Sequence, residues 1–188
     1  MNIVLFGAPG AGKGVQAQRI VAVHGMAHLS TGEMLRTAIS SGSALGLRAK
    51  EIIDRGELIS DDIIVGIVDA RMDGDDCVKG VILDGFPRTV AQARALDVIM
   101  ADKGMALDHV IEIKVDEGAL FSRIENRAAE TEGARSDDNA DTLRKRLTIY
   151  HKNTAPLIPY YKAKGVLRSV DGMASIEAVA MQIDNLLE

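Results

Sequence analysis

The sequence predicts an α/β fold, a parallel sheet with helices on both faces. Two observations carry this. Four short apolar runs rich in β-branched residues, at 3–6, 81–83, 110–115 and 166–170, are separated by longer helical patterns with little sign of a hairpin. The first run leads into Gly7-Ala8-Pro9-Gly10-Ala11-Gly12-Lys13-Gly14 and then a helical segment over 15–23. Strand, glycine loop, lysine and helix in that order form a phosphate-binding arrangement. Its glycines let backbone N–H groups converge on phosphate oxygens, and the helix N-terminus and Lys13 add positive charge.

Along the chain, a weaker strand candidate at 26–29 brings the expected sheet to five strands. Ser30 and Glu33 then have capping-box spacing and open a segment, 30–59, that reads as two or three short helices with no strand. The run at 81–83 ends at the Asp84-Gly85-Phe86-Pro87-Arg88 turn. In parallel sheets ligands sit beyond the carboxyl ends of the strands, so this turn and the glycine loop are expected to share one edge. A second interruption, about 126–140, is polar and reads as a loop between two helices.

At 188 residues the chain suits one domain, and 47% hydrophobic with 26% charged residues is ordinary for a soluble protein. The single cysteine, Cys77, excludes an internal disulfide and a Cys-rich zinc cluster and fits a reducing compartment. The first residues read as a core strand and not a signal peptide, and no run approaches the roughly 20 apolar residues of a membrane span. A cytoplasmic protein without membrane contact is expected. The net charge of −5 argues against a nucleic-acid-coating surface but leaves room for a local arginine pocket.

Five segments in register over nearly the whole chain resemble adenylate kinase: 7–14, Ser30-Thr31-Gly32-Glu33-Met34-Leu35-Arg36, Asp84 to Thr89, Arg135-Ser136-Asp137-Asp138, and 154–161. The resemblance implies a P-loop three-layer α/β/α domain over 1–188 with a five-stranded parallel sheet. A helical nucleoside-monophosphate insertion is implied at 30–59 and a lid at 126–136. Seven residues separate Arg127 from Arg135, so the lid is similar to the family's short form. The implied reaction is ATP + AMP ⇌ 2 ADP with magnesium, without zinc, by a monomer.

Residue roles follow from the same resemblance. Gly10, Ala11, Gly12, Lys13, Gly14 and Val15 would hold the ATP phosphates, with Arg123 on the ATP adenine, Arg127 over the transferring group, and backbone near Ala174 at the base. Arg36 and Arg88 would hold the AMP phosphate. Thr31 and Gln92 would meet the AMP base, with Glu57, Leu58, Ile59, Gly85, Phe86 and Pro87 completing that pocket. Lys13, Arg88, Arg127, Arg135 and Arg146 form the catalytic set, the last two also touching AMP, and Asp84 would act on magnesium through water. Gly14 is usual for this family, whereas Val15 replaces its usual Thr. Such a cation cluster is what phosphoryl transfer needs, because two polyphosphates must be brought together against their repulsion. No general base is required, since the attacking group is already an anionic oxygen.

Plainer readings stand beside these. Thr31 can be a second capping residue, and Asp137 and Asp138 can cap the next helix. Arg123 and Arg127, four apart, can pair on the surface with Glu130 or Glu132. Arg144 and Lys145 read as a solvated face, the four histidines show no metal spacing, and Cys77 reads as an inert thiol. A UMP/CMP-type kinase shares the phosphate loop and the Asp-Gly-Phe-Pro-Arg turn. A GTPase is disfavoured because no Asn-Lys-x-Asp motif appears.

Overall fold

The computed structural model describes residues 1–40, 42, 47, 50, 52, 59–130 and 139–188, and at 38 and 127–130 it describes the backbone alone. Five strands, β1 (Ile3–Phe6), β2 (Ala27–Ser30), β3 (Val81–Asp84), β4 (His109–Lys114) and β5 (Leu167–Asp171), form one sheet in the order β2-β3-β1-β4-β5. All four pairings are parallel. The chain leaves β1 toward β2 on one side and later crosses from β3 to β4 on the other. The order therefore reverses at β1, where the phosphate loop begins, and such a reversal opens a crevice at the sheet edge.

Residue period two sets the layers. Ile3 and Leu5 join Ile82, Ile111 and Ile113 on one face, packed by Ala17 and Ile20 of α1 (Lys13–His24) and by Val179 and Ile183 of α8 (Ile176–Leu187). Val4 and Phe6 join Leu29 and Leu83 on the other face. They are covered by α3 (Asp61–Met72), α4 (Val90–Asp102) and α7 (Leu157–Ala163) through Val68, Leu96 and Tyr161. Each fully buried Leu or Ile contributes about 1.5–3 kcal/mol.

The strand at 26–29 was the weakest in sequence because β2 is an edge strand. Ala27 and Leu29 are buried while His28 and Ser30 are only partly so. Helix α2 (Thr31–Ser40) follows directly, and the Glu33 N–H donates to Ser30 Oγ at 3.4 Å, one half of the expected capping box. The remaining helices expected over 30–59 fall largely outside the described residues. Helices α5 (Glu117–Glu130) and α6 (Ala140–Ile149) pack through Leu120, Ile124, Leu143 and Leu147 and bracket residues 131–138. Most of the expected lid, 126–136, thus also lies outside the description. Cys77 is buried in a 3₁₀ turn (Asp75–Lys79), where burial and then Asp76 push its thiol pKa up.

Candidate active site

The loop after β1 is shaped by glycines. A Cβ on Gly7 would lie 2.8 Å from the Ile113 carbonyl oxygen, so β1 can end beside β4 only with glycine there. Gly12, the residue before α1, has φ 96° and no side chain to cap the first turn. The first N–H groups of that helix therefore point toward an approaching anion. Lys13 Nζ donates to the carbonyls of Gly7 at 2.9 Å and Ala8 at 3.0 Å, which folds the ammonium back over the loop. Gly10 lies over Leu120 and Ile124, Ala11 is buried, and Val15 is 49% exposed on the outer side of the first turn.

Asp84 ends β3 opposite Leu5 of β1 and Ser30 of β2. Its carboxylate lies under the loop, 3.9 Å from where a Cβ on Gly14 would be. Its Oδ2 is 3.4 Å from His28 Nε2. Burial alone would raise this carboxyl, but contact with His28 and the charges of Lys13 and Arg88 outweigh it and hold the pKa below the ordinary aspartate range. Among the described residues no group of three or more His, Cys, Asp or Glu side chains is placed to hold a metal unaided. A single ionised carboxylate does suit magnesium, which keeps several waters and takes one or two carboxylates plus substrate phosphates.

The next turn is built around Gly85, at φ 81°, and the cis Phe86–Pro87 bond. Phe86 and Pro87 are buried, so backbone is what they present to a ligand. The Gly85 carbonyl accepts from Thr31 Oγ1 at 3.1 Å and from Arg88 Nε at 2.7 Å. Thr31, 1% exposed, thus uses its hydroxyl to tie α2 to the turn and is not spent on capping. Thr89 caps α4, accepting from the Gln92 N–H at 3.1 Å. The Arg88 side chain is exposed to water, with protein packed beside its guanidinium. That desolvation and the nearby Arg146 lower its pKa, and Asp84 opposes them. Two like charges converging this way cost stability unless an anion comes between them.

Arg123 reaches across the fold, while the side chains of its plainer partners, Glu130 and Glu132, lie outside the described residues. Its Nη2 donates to the Gly172 carbonyl at 2.7 Å and its Nη1 reaches the Ala11 carbonyl at 3.5 Å, so it bridges the phosphate loop to the loop after β5. Ala174, in that second loop, is partly buried against the α1–α8 core. Arg36 folds back over Gly32 at the start of α2. Ile59 is 8% exposed and sits in the core. Arg144 is exposed, bonded to Asp141 and stacked on Phe121, as its solvated reading expects. Glu57, Leu58, Arg135, Asp137, Asp138 and the Arg127 side chain lie outside the described residues.

Two neighbours of this cleft were missed in the sequence. His28 is visible only once β2 is paired with β3. Asp61, at the start of α3, accepts from Gln92 Nε2 at 2.7 Å and Thr89 Oγ1 at 3.3 Å, yet in sequence it looks like an ordinary first-turn acid.

The family model described as "Adenylate kinase" matches residues 5–166. Relatives of that name agree over the whole chain. The one from Parvibaculum lavamentivorans is 56% identical over 188 residues, 100% of this chain and 92% of its own. Those from Azorhizobium caulinodans and Xanthobacter autotrophicus are each 53% identical, covering 100% of this chain and 99% and 98% of their own. With the sheet order, the glycine loop and the Asp84–Arg88 turn, these matches show that the chain belongs to the adenylate kinase family.

Proposed function

We propose that the reaction of this family, ATP + AMP ⇌ 2 ADP, takes place above the C-terminal edge of β1 and β3, with the donor on the phosphate loop and the acceptor on the Asp84–Gln92 segment. The chain is a phosphotransferase of its family, and the assignment of residues to substrates is the step proposed. One observation supports it most: the two loops follow adjacent strands, with Leu5 opposite Asp84. Neighbouring strands are about 4.8 Å apart, so phosphates held at their ends are brought within reach of each other.

In this reading the backbone N–H groups of residues 10–15 and Lys13 take the ATP phosphates, Lys13 exchanging its two carbonyl bonds for phosphate oxygens. Arg36 and Arg88 take the AMP phosphate, and Arg146, with Arg127 and Arg135, covers the transferring group. The cluster offsets the repulsion between the two anions and stabilises charge spread over the equatorial oxygens. An AMP phosphate oxygen attacks in line and ADP leaves, so no side chain has to move a proton. Magnesium, when bound with ATP, neutralises charge on the phosphates, and Asp84 would hold it through water. Arg123 braces the loop from the ATP-base side, next to Ala174. Gln92 and Thr31 meet the AMP base, with backbone of Glu57, Leu58, Ile59 and Gly85.

Segments 30–59 and 126–136 act as insertion and lid, excluding water when both substrates bind. We propose a cytoplasmic monomer, as the family resemblance implies, and the single Cys77 accords with a reducing setting. No helix among the described residues is long and apolar enough to cross a membrane.

The test is a coupled assay with MgATP and AMP, CMP, UMP or GMP. AMP is expected to be the preferred acceptor, and equal or better turnover with CMP overturns the assignment. Arg88→Ala should lose about 10²–10³ in rate; a loss under threefold would remove Arg88 from the acceptor site.

A further inference from the structure

Gln92 is 3% exposed, and both ends of its amide are engaged. Its Oε1 accepts the Arg88 backbone N–H at 2.7 Å, and its Nε2 donates to Asp61 Oδ1 at 2.7 Å. These neighbours have opposite and fixed roles. A backbone N–H can only donate and an ionised carboxylate can only accept, so the amide has one permitted orientation. Asp61 is itself held, since its other oxygen accepts from Thr89 Oγ1 at 3.3 Å. After these bonds Gln92 retains one N–H and one lone pair, in a fixed order.

That order matters for base choice. Adenine offers an amino donor beside a ring-nitrogen acceptor, and a Gln amide can meet both at once; guanine puts a carbonyl acceptor where adenine has the amino group. We propose that Asp61 is a specificity-determining positioning residue: it locks the Gln92 amide in the orientation that reads adenine and disfavours guanine in the acceptor. This rests on the reading of Gln92 as the residue at the acceptor base. Asp61 begins α3, immediately after the 30–59 segment, so the lock also ties that segment's exit to the start of α4. Because Arg88 supplies the amide's other anchor, the base lock and the phosphate-binding turn are joined through one side chain.

Kinetics of Asp61→Ala, Asp61→Asn, Gln92→Ala and the double variant test this, with KM for AMP and ATP and the AMP:GMP ratio of kcat/KM as readouts. Asp61→Ala removes a charge-assisted hydrogen bond, so KM for AMP is expected to rise about tenfold and AMP:GMP discrimination to fall, with KM for ATP within about twofold. Asp61→Asn still presents an acceptor to Nε2, so it should restore most of the AMP affinity. In the Gln92→Ala background the loss of Asp61 should add nothing, because its effect passes through Gln92. Equal rises in both KM values, or an undiminished Asp61 effect in the absence of Gln92, overturn the proposal. If Asp61→Ala does not fold, Asp61→Ser, whose side chain is too short to keep the bond to Nε2, decides: a rise of about twofold or more in AMP KM without a matching rise for ATP supports the lock, and any other pattern refutes it. A Gln92→Ala enzyme with unchanged AMP KM would instead refute the reading of Gln92 itself.

Discussion

Replacing Gly85 by Ala tests whether the turn after β3 is as constrained as its geometry requires. The backbone there has φ +81°, which costs an L-residue on the order of 1–2 kcal/mol. The new Cβ would lie 2.8 Å from Thr31 Oγ1 and 3.1 Å from Arg88 Nη2. Arg88 can swing aside. Thr31, β-branched and 1% exposed, can yield only by giving up its 3.1 Å bond to the Gly85 carbonyl, a loss of about 1 kcal/mol. Together these destabilise the fold by about 2–3 kcal/mol. For a chain of this size that lowers Tm by about 4–12 °C, measurable by circular dichroism. The displaced pair are the residues assigned to the acceptor, so KM for AMP should rise about tenfold or more while KM for ATP changes less than about twofold. A Tm within about 1 °C of wild type together with an unchanged KM for AMP would refute both the strain argument and the placing of Thr31 and Arg88 at the acceptor.

Three further outcomes are expected. Val15→Thr is on an exposed position, so stability should stay within about 0.5 kcal/mol while KM for ATP or the magnesium requirement shifts; if neither moves, the missing hydroxyl has no role. Arg123→Ala cuts the bridge between Gly172 and Ala11, and KM for ATP should rise about tenfold with KM for AMP unaffected; equal changes in both would show a merely structural arginine. Spectroscopic titration of the three tyrosines is undisturbed by tryptophan, which the chain lacks. Burial, reinforced by Glu112, raises Tyr150 to about 12, and burial also raises Tyr160 and Tyr161. Raised folded values mean a stabilising contribution that is full below the unfolded pKa of about 10 and lost as pH rises through the folded values. Tyrosinate absorbance of Tyr150 and Tyr161 should therefore lag until alkaline unfolding, and either of these two titrating near pH 10 in the intact fold would contradict this.

What could be read in the sequence was what is concentrated in a short window. Gly7 to Lys13 carries its strand end, its turn and its charge within a few residues, and Asp84 to Arg88 does the same after β3. The central strands β1 and β3 announced themselves as unbroken apolar runs because both their faces are buried. The edge strand β2 was fainter, since His28 and Ser30 interrupt its apolar pattern. What could not be read were side chains whose partners are distant in sequence. Helical spacing allowed Arg123 a surface pair to Glu130 beside its expected place at the ATP base, and nothing in that spacing points to the Gly172 carbonyl, 49 residues on, to which the fold brings it. Asp61 is 31 residues from Gln92 and shows only the signature of a helix start. The distinction is physical. A group that acts on a ligand needs a distinctive residue type in a distinctive local frame, and that leaves a motif. A group that acts by orienting another side chain needs only one acceptor in the right place, and a carboxylate in a first helical turn is common enough in sequence to carry no signal, as at Glu33, Glu117, Asp141 and Glu177. Its role becomes visible only when the buried amide it faces is seen to have no other permitted orientation.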